Sequence, residues 1–346
     1  MKRIIYPERD NWQQRHLDIG FDYYNLPSTD GSIYWSEGVS YEFHLKQIEQ
    51  LEDAANELHQ MCLQVADRII QSGDYPDYFQ IPQTAIPSIE YSWKTKAPML
   101  YGRFDFAYDG QNIKMLEYNA DTPTGLLEAS VAQWHWIEEV QNVPHRDQFN
   151  SIHEDLIERW KQLFAPKSLV HFAACQEAGR EDWGNLEYLM DTAFQAGLSV
   201  SELSMENLGW DQTQFVDLND QAINHLFKLY PWEWIWEENF STFIKPDSQW
   251  IEPCWKMLLS NKAILVELWK QFPHHPLLLE SHAFNPNDRF NGKWVRKPIL
   301  AREGANIHII QNNVDCGEAS GSFHFEDYDK YGYIMQKWAP TPLHEG

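Results

Sequence analysis

Two short segments place carboxylate, amide and guanidinium groups at a spacing suited to magnesium and phosphate chemistry. Arg103-Phe104-Asp105 alternates polar and aromatic side chains, and Glu117-Tyr118-Asn119 repeats that alternation further along the chain. In extended backbone, successive side chains point to opposite faces, so Arg103 shares a face with Asp105, and Glu117 with Asn119. Two carboxylates and an amide oxygen are hard ligands, the kind that Mg²⁺ takes together with phosphate oxygens and water. An arginine beside them is a fixed positive charge for a developing phosphate or oxyanion. The same alternation also suits an exposed ion pair with a turn beyond it.

Whether the two polar faces coincide depends on the connection between them. A two-residue loop at Asp109-Gly110 would set Asp105 opposite Lys114 and send Glu117 to the other side of the hairpin. An odd-length loop or a bulge is therefore required. A three-residue loop with Gly110 left-handed, a five-residue loop facing Asp105 with Glu117, or one inserted residue would each serve. Just downstream, Asp121-Thr122-Pro123-Thr124-Gly125 offers hydroxyls and N–H groups ahead of a helix, which suits either an anion or an ordinary helix cap.

Around these segments the pattern of the chain is mixed. Leu45, Ile48, Leu51, Ala55, Leu58, Cys62, Val65 and Ile69 recur at helical spacing and predict a long amphipathic helix between Ser40 and Ser72. Pro76, Pro82 and Pro87 predict a connector without helix from Gly73 to Lys96. Strands are expected at Met99–Tyr108 and Ile113–Asn119, then a helix over Gly125–Val140. A strand at Leu169–Ala174, a helix at Trp183–Ala196 and strands at Leu198–Ser204 and Gln221–Leu226 give the middle an α/β character. A helix at Asn261–Phe272 and strands at Lys293–Leu300, Ile307–Gln311 and Tyr333–Gln336 follow, so the class as a whole is α+β.

Bulk properties narrow the function. The 346 residues carry 51 acidic against 27 basic side chains, a net charge of −24, which repels nucleic acid and anionic lipid. No segment approaches the roughly 18 apolar residues of a membrane span, and the amino terminus lacks a signal-peptide apolar run. A cytoplasmic protein without nucleic acid or membrane partners is expected. Cys62, Cys175, Cys254 and Cys316 are too scattered for a metal clip and are expected as reduced thiols.

The Arg-Phe-Asp segment, followed twelve residues after its Asp by Glu-x-Asn, resembles the ATP-grasp domain of the glutathionylspermidine synthetase family. The likeness runs over nearly the whole chain and is greatest to stand-alone acid–amine ligases that lack the amidase domain. It implies an ATP-grasp fold with an α/β substrate-binding subdomain, and two magnesium ions on Asp105, Glu117 and Asn119. Arg103 would contact the ATP γ-phosphate and the acyl phosphate made from it. Thr122 and Thr124 stand where the family has hydroxyls that hold the acid. Lys262 and Lys297, 35 positions apart as in the family pattern, would grip the ATP phosphates. Gly304, in the loop Arg302–Asn306, would let backbone approach a polyphosphate closely. Gln336 and Lys337 fall in the segment that meets adenine. Glu177, Glu181 and Asp182 offer carboxylates to a cationic amine, though acidic residues also favour a helix start. Taken alone, each lysine also suits a solvated surface position.

One domain over residues 1–346 is expected, with approximate subdomains 1–165, 166–255 and 256–346. Family members continue with further strands and another phosphate-binding arginine, so the resemblance implies a shortened carboxyl-terminal part. The activity it implies is ATP-dependent amide formation through an acyl phosphate, joining a glutathione-like or amino-acid carboxylate to a polyamine or other amine. The rival is a nucleotide-sensing protein of the same shape that ligates nothing. Walker A, Rossmann and His-Glu-x-x-His patterns are absent. A glycosidase pair fits the Asn and Arg less well than metal and phosphate do.

Overall fold

Helical periodicity after Ser40 becomes the Leu45–Ser72 helix, ended by Gly73 in the left-handed region at φ +66°. Its buried face runs from Ala54 and Leu58 to Ile69 and Ile70. The computed structural model describes residues 1–346 apart from 28–32, 144–146, 320–323, 325 and 342–346.

Four parallel strands form the middle sheet, in the order Gln249–Ile251, His225–Leu229, Leu169–Ala174, Ser199–Ser204. Both faces of this sheet are covered, which is why Leu169–Ala174 reads as a nearly continuous apolar run. Val170, Phe172 and Phe227 pack with Leu156 and Trp160 of the Ile152–Leu163 helix and with Leu186 and Leu189 of the Arg180–Gln195 helix. Ala173, Leu203 and Leu226 belong instead to a larger core shared with the Leu45–Ser72 helix, with Met115 and Tyr118, and with Ile299 and Ile334. That shared core joins the parallel sheet to a five-stranded antiparallel sheet. Its order is Ser281–Ala283, Tyr333–Lys337, Lys293–Pro298, His308–Gln311, Val314–Glu318.

Several expectations need correction. Pro87 does not break the 73–96 segment but opens the Ile86–Lys94 helix, in the first turn where its missing N–H costs nothing. The strand expected at Gln221–Leu226 lies at His225–Leu229, because Ala222 and Ile223 are engaged by Val216 and Phe215. The helix expected over Gly125–Val140 is interrupted by a π-helical stretch at Glu128–Ala132, after which Gln133–Glu139 is α-helical.

Gly102 sets how the chain enters the hairpin. A Cβ there would lie 2.8 Å from Tyr118 Cε2. The Tyr118 ring cannot easily yield, since it stacks on Phe104 at a centroid distance of 3.9 Å and its hydroxyl meets His59 Nδ1 at 3.0 Å. Gly102→Ala is expected to cost about 1–3 kcal/mol of stability through this overpacking, read as a lower urea midpoint. An unchanged midpoint would show that Tyr118 moves freely.

Candidate active site

The hairpin meets its parity requirement with a bulge. Tyr108 pairs with Ile113 across the loop 109–112, and Phe106 still pairs with Met115, but Asp105 pairs with Glu117 and Arg103 with Asn119. Leu116 is the extra residue. The loop itself is even in length and is held by Asp109, whose Oδ1 accepts the Gln111 and Asn112 N–H groups at 2.9 and 2.7 Å. At the bulge the ladder leaves carbonyls to be satisfied elsewhere. Lys297 Nζ donates to Leu116 O at 3.1 Å, and Gln336 Nε2 donates to Met115 O at 3.2 Å. The insertion that turns Glu117 inward is thus held by side chains of the antiparallel sheet.

All four hairpin residues converge. Arg103 Nε donates to Asp105 Oδ1 at 2.9 Å and its Nη1 to Thr124 O at 3.1 Å. Asn119 Nδ2 lies 3.3 Å from Asp105 Oδ2 and 3.2 Å from Glu117 Oε1, bridging the two carboxylates. Lys262 Nζ sits 3.1 Å from Glu117 Oε2 and donates to Ala301 O at 2.9 Å. Lys297 donates to Gln336 Oε1 at 2.7 Å as well as to Leu116 O.

Electrostatics separate the two acids. Burial raises Asp105 and the neighbouring Glu117 adds to the rise, against the pull of Arg103. Burial would also raise Glu117, but Lys262 and Lys297 outweigh it and hold the group down at about 2. Burial, opposed by Glu117 and aided by Lys262, pushes the Lys297 ammonium down to about 8. Lys262 and Lys297 are 6% and 5% exposed, so neither is a solvated surface charge.

A cavity of about 650 Å³ opens over this constellation, and Arg103, Asp105, Glu117, Asn119, Thr122, Thr124, Glu181, Asp182 and Gly304 all line it. Thr124 Oγ1 donates to Glu181 Oε1 at 2.9 Å. Burial raises Glu181, and Glu128, Asp182 and Glu303 add to the rise, so this wall gathers negative charge. Lys262, Lys297 and Gln336 lie behind the hairpin and do not line the cavity. Lys337 is further away, its Nζ 4.7 Å from the centre of the Trp294 ring. Glu177 is exposed and also outside the lining.

Three residues that the sequence did not mark as site residues belong to this region. Arg302 and Tyr34 line the cavity; Arg302 Nη2 donates to Asp182 Oδ1 at 3.0 Å, and Tyr34 Oη to Glu128 Oε1 at 2.6 Å. Asp121 is buried just after the hairpin, accepting from Lys228 Nζ at 2.6 Å and from Trp232 N at 2.9 Å. It fastens the end of the hairpin to the parallel sheet. Its one signal in the sequence, an acid ahead of a helix, is that of a cap.

Among the described residues no three His, Cys, Asp or Glu side chains are grouped to hold a metal. The hairpin set is two carboxylates and an amide, all hard donors, and one of the acids, Asp105, is raised by burial first and by the like charge of Glu117 second. That combination fits a divalent cation, whose charge would relieve the repulsion between Asp105 and Glu117. None of the described helices is long and apolar enough to cross a membrane.

The glutathionylspermidine synthase preATP-grasp family matches residues 3–346. A Haemophilus influenzae protein, provisionally named an acid–amine ligase, is 48% identical over 355 aligned positions, covering 100% of this chain and 90% of that protein. The bifunctional glutathionylspermidine synthetase/amidase of Escherichia coli is 27% identical over 80% of this chain, and the match takes in 48% of its length. Among solved structures, a glutathione synthetase-like effector from Globodera pallida in its apo form has a TM-score of 0.52 at 11% identity. It covers 97% of this chain and 84% of that one, which is a likeness of fold.

Proposed function

From the premise that this chain belongs to the glutathionylspermidine synthase preATP-grasp family of acid–amine ligases, we propose that it activates a carboxylic acid as an acyl phosphate and passes it to an amine. The observation that carries this reading is the Leu116 bulge, which brings Arg103, Asp105, Glu117 and Asn119 to one cavity with two buried lysines behind them.

Asp105, Glu117 and Asn119 would hold magnesium, two ions in this reading, through their oxygens. Magnesium ATP, when bound, supplies the phosphoryl group. Arg103, anchored on Thr124 O, positions positive charge where the phosphorylated carboxylate carries its negative charge. Lys262 and Lys297 neutralise Glu117 from behind and are the cations available to polyphosphate if the Arg302–Asn306 loop shifts towards them. Thr122 and Thr124 offer hydroxyls to the acid. Glu181, which accepts from Thr124, and Asp182, which pairs with Arg302, offer carboxylates to an ammonium group such as that of a polyamine. Gln336 serves by holding Lys297, and the 256–346 region as a whole acts as the nucleotide-binding part.

The test is incubation with magnesium ATP, pools of amino acids and thiol peptides, and pools of amines, following phosphate release and new amide masses. Ligation predicts that one acid–amine pair raises both. Nucleotide binding without phosphate release above background for every pair would favour the sensing protein.

A further inference from the structure

A second cavity, of about 480 Å³, adjoins the acidic one. Arg103 and Thr124 line both, and the hydrogen bond from Arg103 Nη1 to Thr124 O makes this pair their shared wall. The two spaces differ in chemistry. The first is walled by Glu181, Asp182 and Glu303. The second has an apolar surface drawn from three segments: Leu100 before the hairpin, Leu126 and Ala129 after it, and Ile152 and Leu156 of the Ile152–Leu163 helix. Its carboxylates, Asp155 and Glu158, are exposed and engaged by Ser151 and Lys161. Arg159, which also lines it, is fixed by Met99 O at 3.0 Å.

We propose that this cavity binds the hydrocarbon body of the acid substrate, so that the acid is one with an extended apolar portion, its carboxylate at Arg103. Charge decides which substrate goes where. An ammonium group is drawn to the Glu181–Asp182 wall, whereas Arg103 is the guanidinium that both cavities share, Arg302 of the first being paired with Asp182 and Arg159 of the second held by Met99 O and Gln162. With its carboxylate on Arg103, the rest of the acid is repelled by the acidic cavity if anionic and gains nothing there if apolar. The apolar cavity offers it burial, and its volume lies in the usual range for a small-molecule site. The assignment rests on the ligase reading for the presence of an acid substrate; the apolar preference itself follows from the cavity walls.

Straight-chain carboxylates from acetate to octanoate serve as probes, their binding to the full chain measured by ligand-observed NMR alongside a matching series of primary amines. Affinity is expected to rise by about fourfold per added methylene for the acids, as burial of one CH₂ implies, and to stay flat for the amines. Ala129→Phe and Ile152→Trp fill the cavity from opposite segments, and each is expected to flatten the acid series while keeping the wild-type melting profile. A flat acid series in the wild type, or a slope carried by the amines, overturns the assignment. So does a slope that survives both substitutions. The same acids are offered with magnesium ATP and amines. A slope without amide formation from any acid would keep the cavity assignment and count against the ligase reading, and amide formation with a flat slope would do the reverse.

Discussion

Glu117→Gln is expected to lower magnesium-dependent turnover by about 10²- to 10³-fold, the loss typical of removing one preorganised electrostatic group from a closed site. Gln keeps the shape of the side chain and one oxygen, which can accept from Asn119 or from Lys262, while the Leu116 bulge is held by Lys297 and Gln336, so the hairpin register should persist. What disappears is the charge that faces two lysines on one side and, in the proposed function, would face magnesium on the other. Magnesium affinity should fall with turnover, measurable by titrating rate against the metal. A variant as active as the wild type at low magnesium would remove Glu117 from the site.

The same substitution has a signature independent of activity. Glu117 titrates at about 2 in the fold against an ordinary 4.5. A depressed carboxylate contributes stability above its unfolded value, and the contribution disappears as pH falls through the folded one. In metal-free buffer the stability gap between wild type and Glu117→Gln should therefore narrow as pH drops from about 4.5 to about 2. A constant gap across that window would mean that Lys262 and Lys297 do not act on Glu117.

The hairpin was legible in the sequence because period-two alternation fixes faces, and parity then demanded an odd loop or a bulge. Which of these the chain uses was not legible. The choice depends on Lys297 and Gln336, far along the chain, taking the carbonyls of Leu116 and Met115. The lysines illustrate the same limit. A lysine reads as an exposed charge until its partner is known, and Lys262, in the turn ahead of the Ile264–Gln271 helix, finds its partner in Glu117 on a distant strand. Arg302 read only as the start of the 302–306 loop because its ion pair with Asp182 joins segments 120 positions apart, with no local spacing to mark it. Short edge strands such as Gln249–Ile251 and Ser281–Ala283 leave no periodicity to read, and only pairing with longer neighbours defines them. Conversely, Leu169–Ala174 was readable to its ends, since burial on both faces writes itself into an apolar run interrupted by His171 alone.

Lys297→Met should reduce kcat/KM for ATP by about 10²-fold, with most of the loss in KM, if the buried ammonium steadies polyphosphate charge. The wild type supplies its own control through pH. Because the Lys297 ammonium is held at about 8, its charge in the free protein fades as pH rises through that value, well below the ordinary 10.5. The KM for ATP should then climb above about pH 8, by roughly tenfold per unit once the neutral form dominates. Bound nucleotide adds negative charge and raises the group, so kcat should hold to higher pH than kcat/KM does. Lys297→Met should remove the break, and Lys297→Arg should remove it while retaining more affinity, since a guanidinium stays charged throughout. The slope of stability with pH has the same sign as for Glu117, because both groups are depressed in the fold, but for the lysine the shift is a cost that is relieved as pH rises. Between about pH 8 and 10.5 the unfolded chain holds a proton that the folded chain has released, so wild-type stability gains from rising pH there relative to Lys297→Met. A KM for ATP that ignores pH between 7 and about 9.5 in the wild type, with the nucleotide's own ionisation already complete, would place Lys297 outside the nucleotide's reach and leave it only the task of holding the Leu116 bulge.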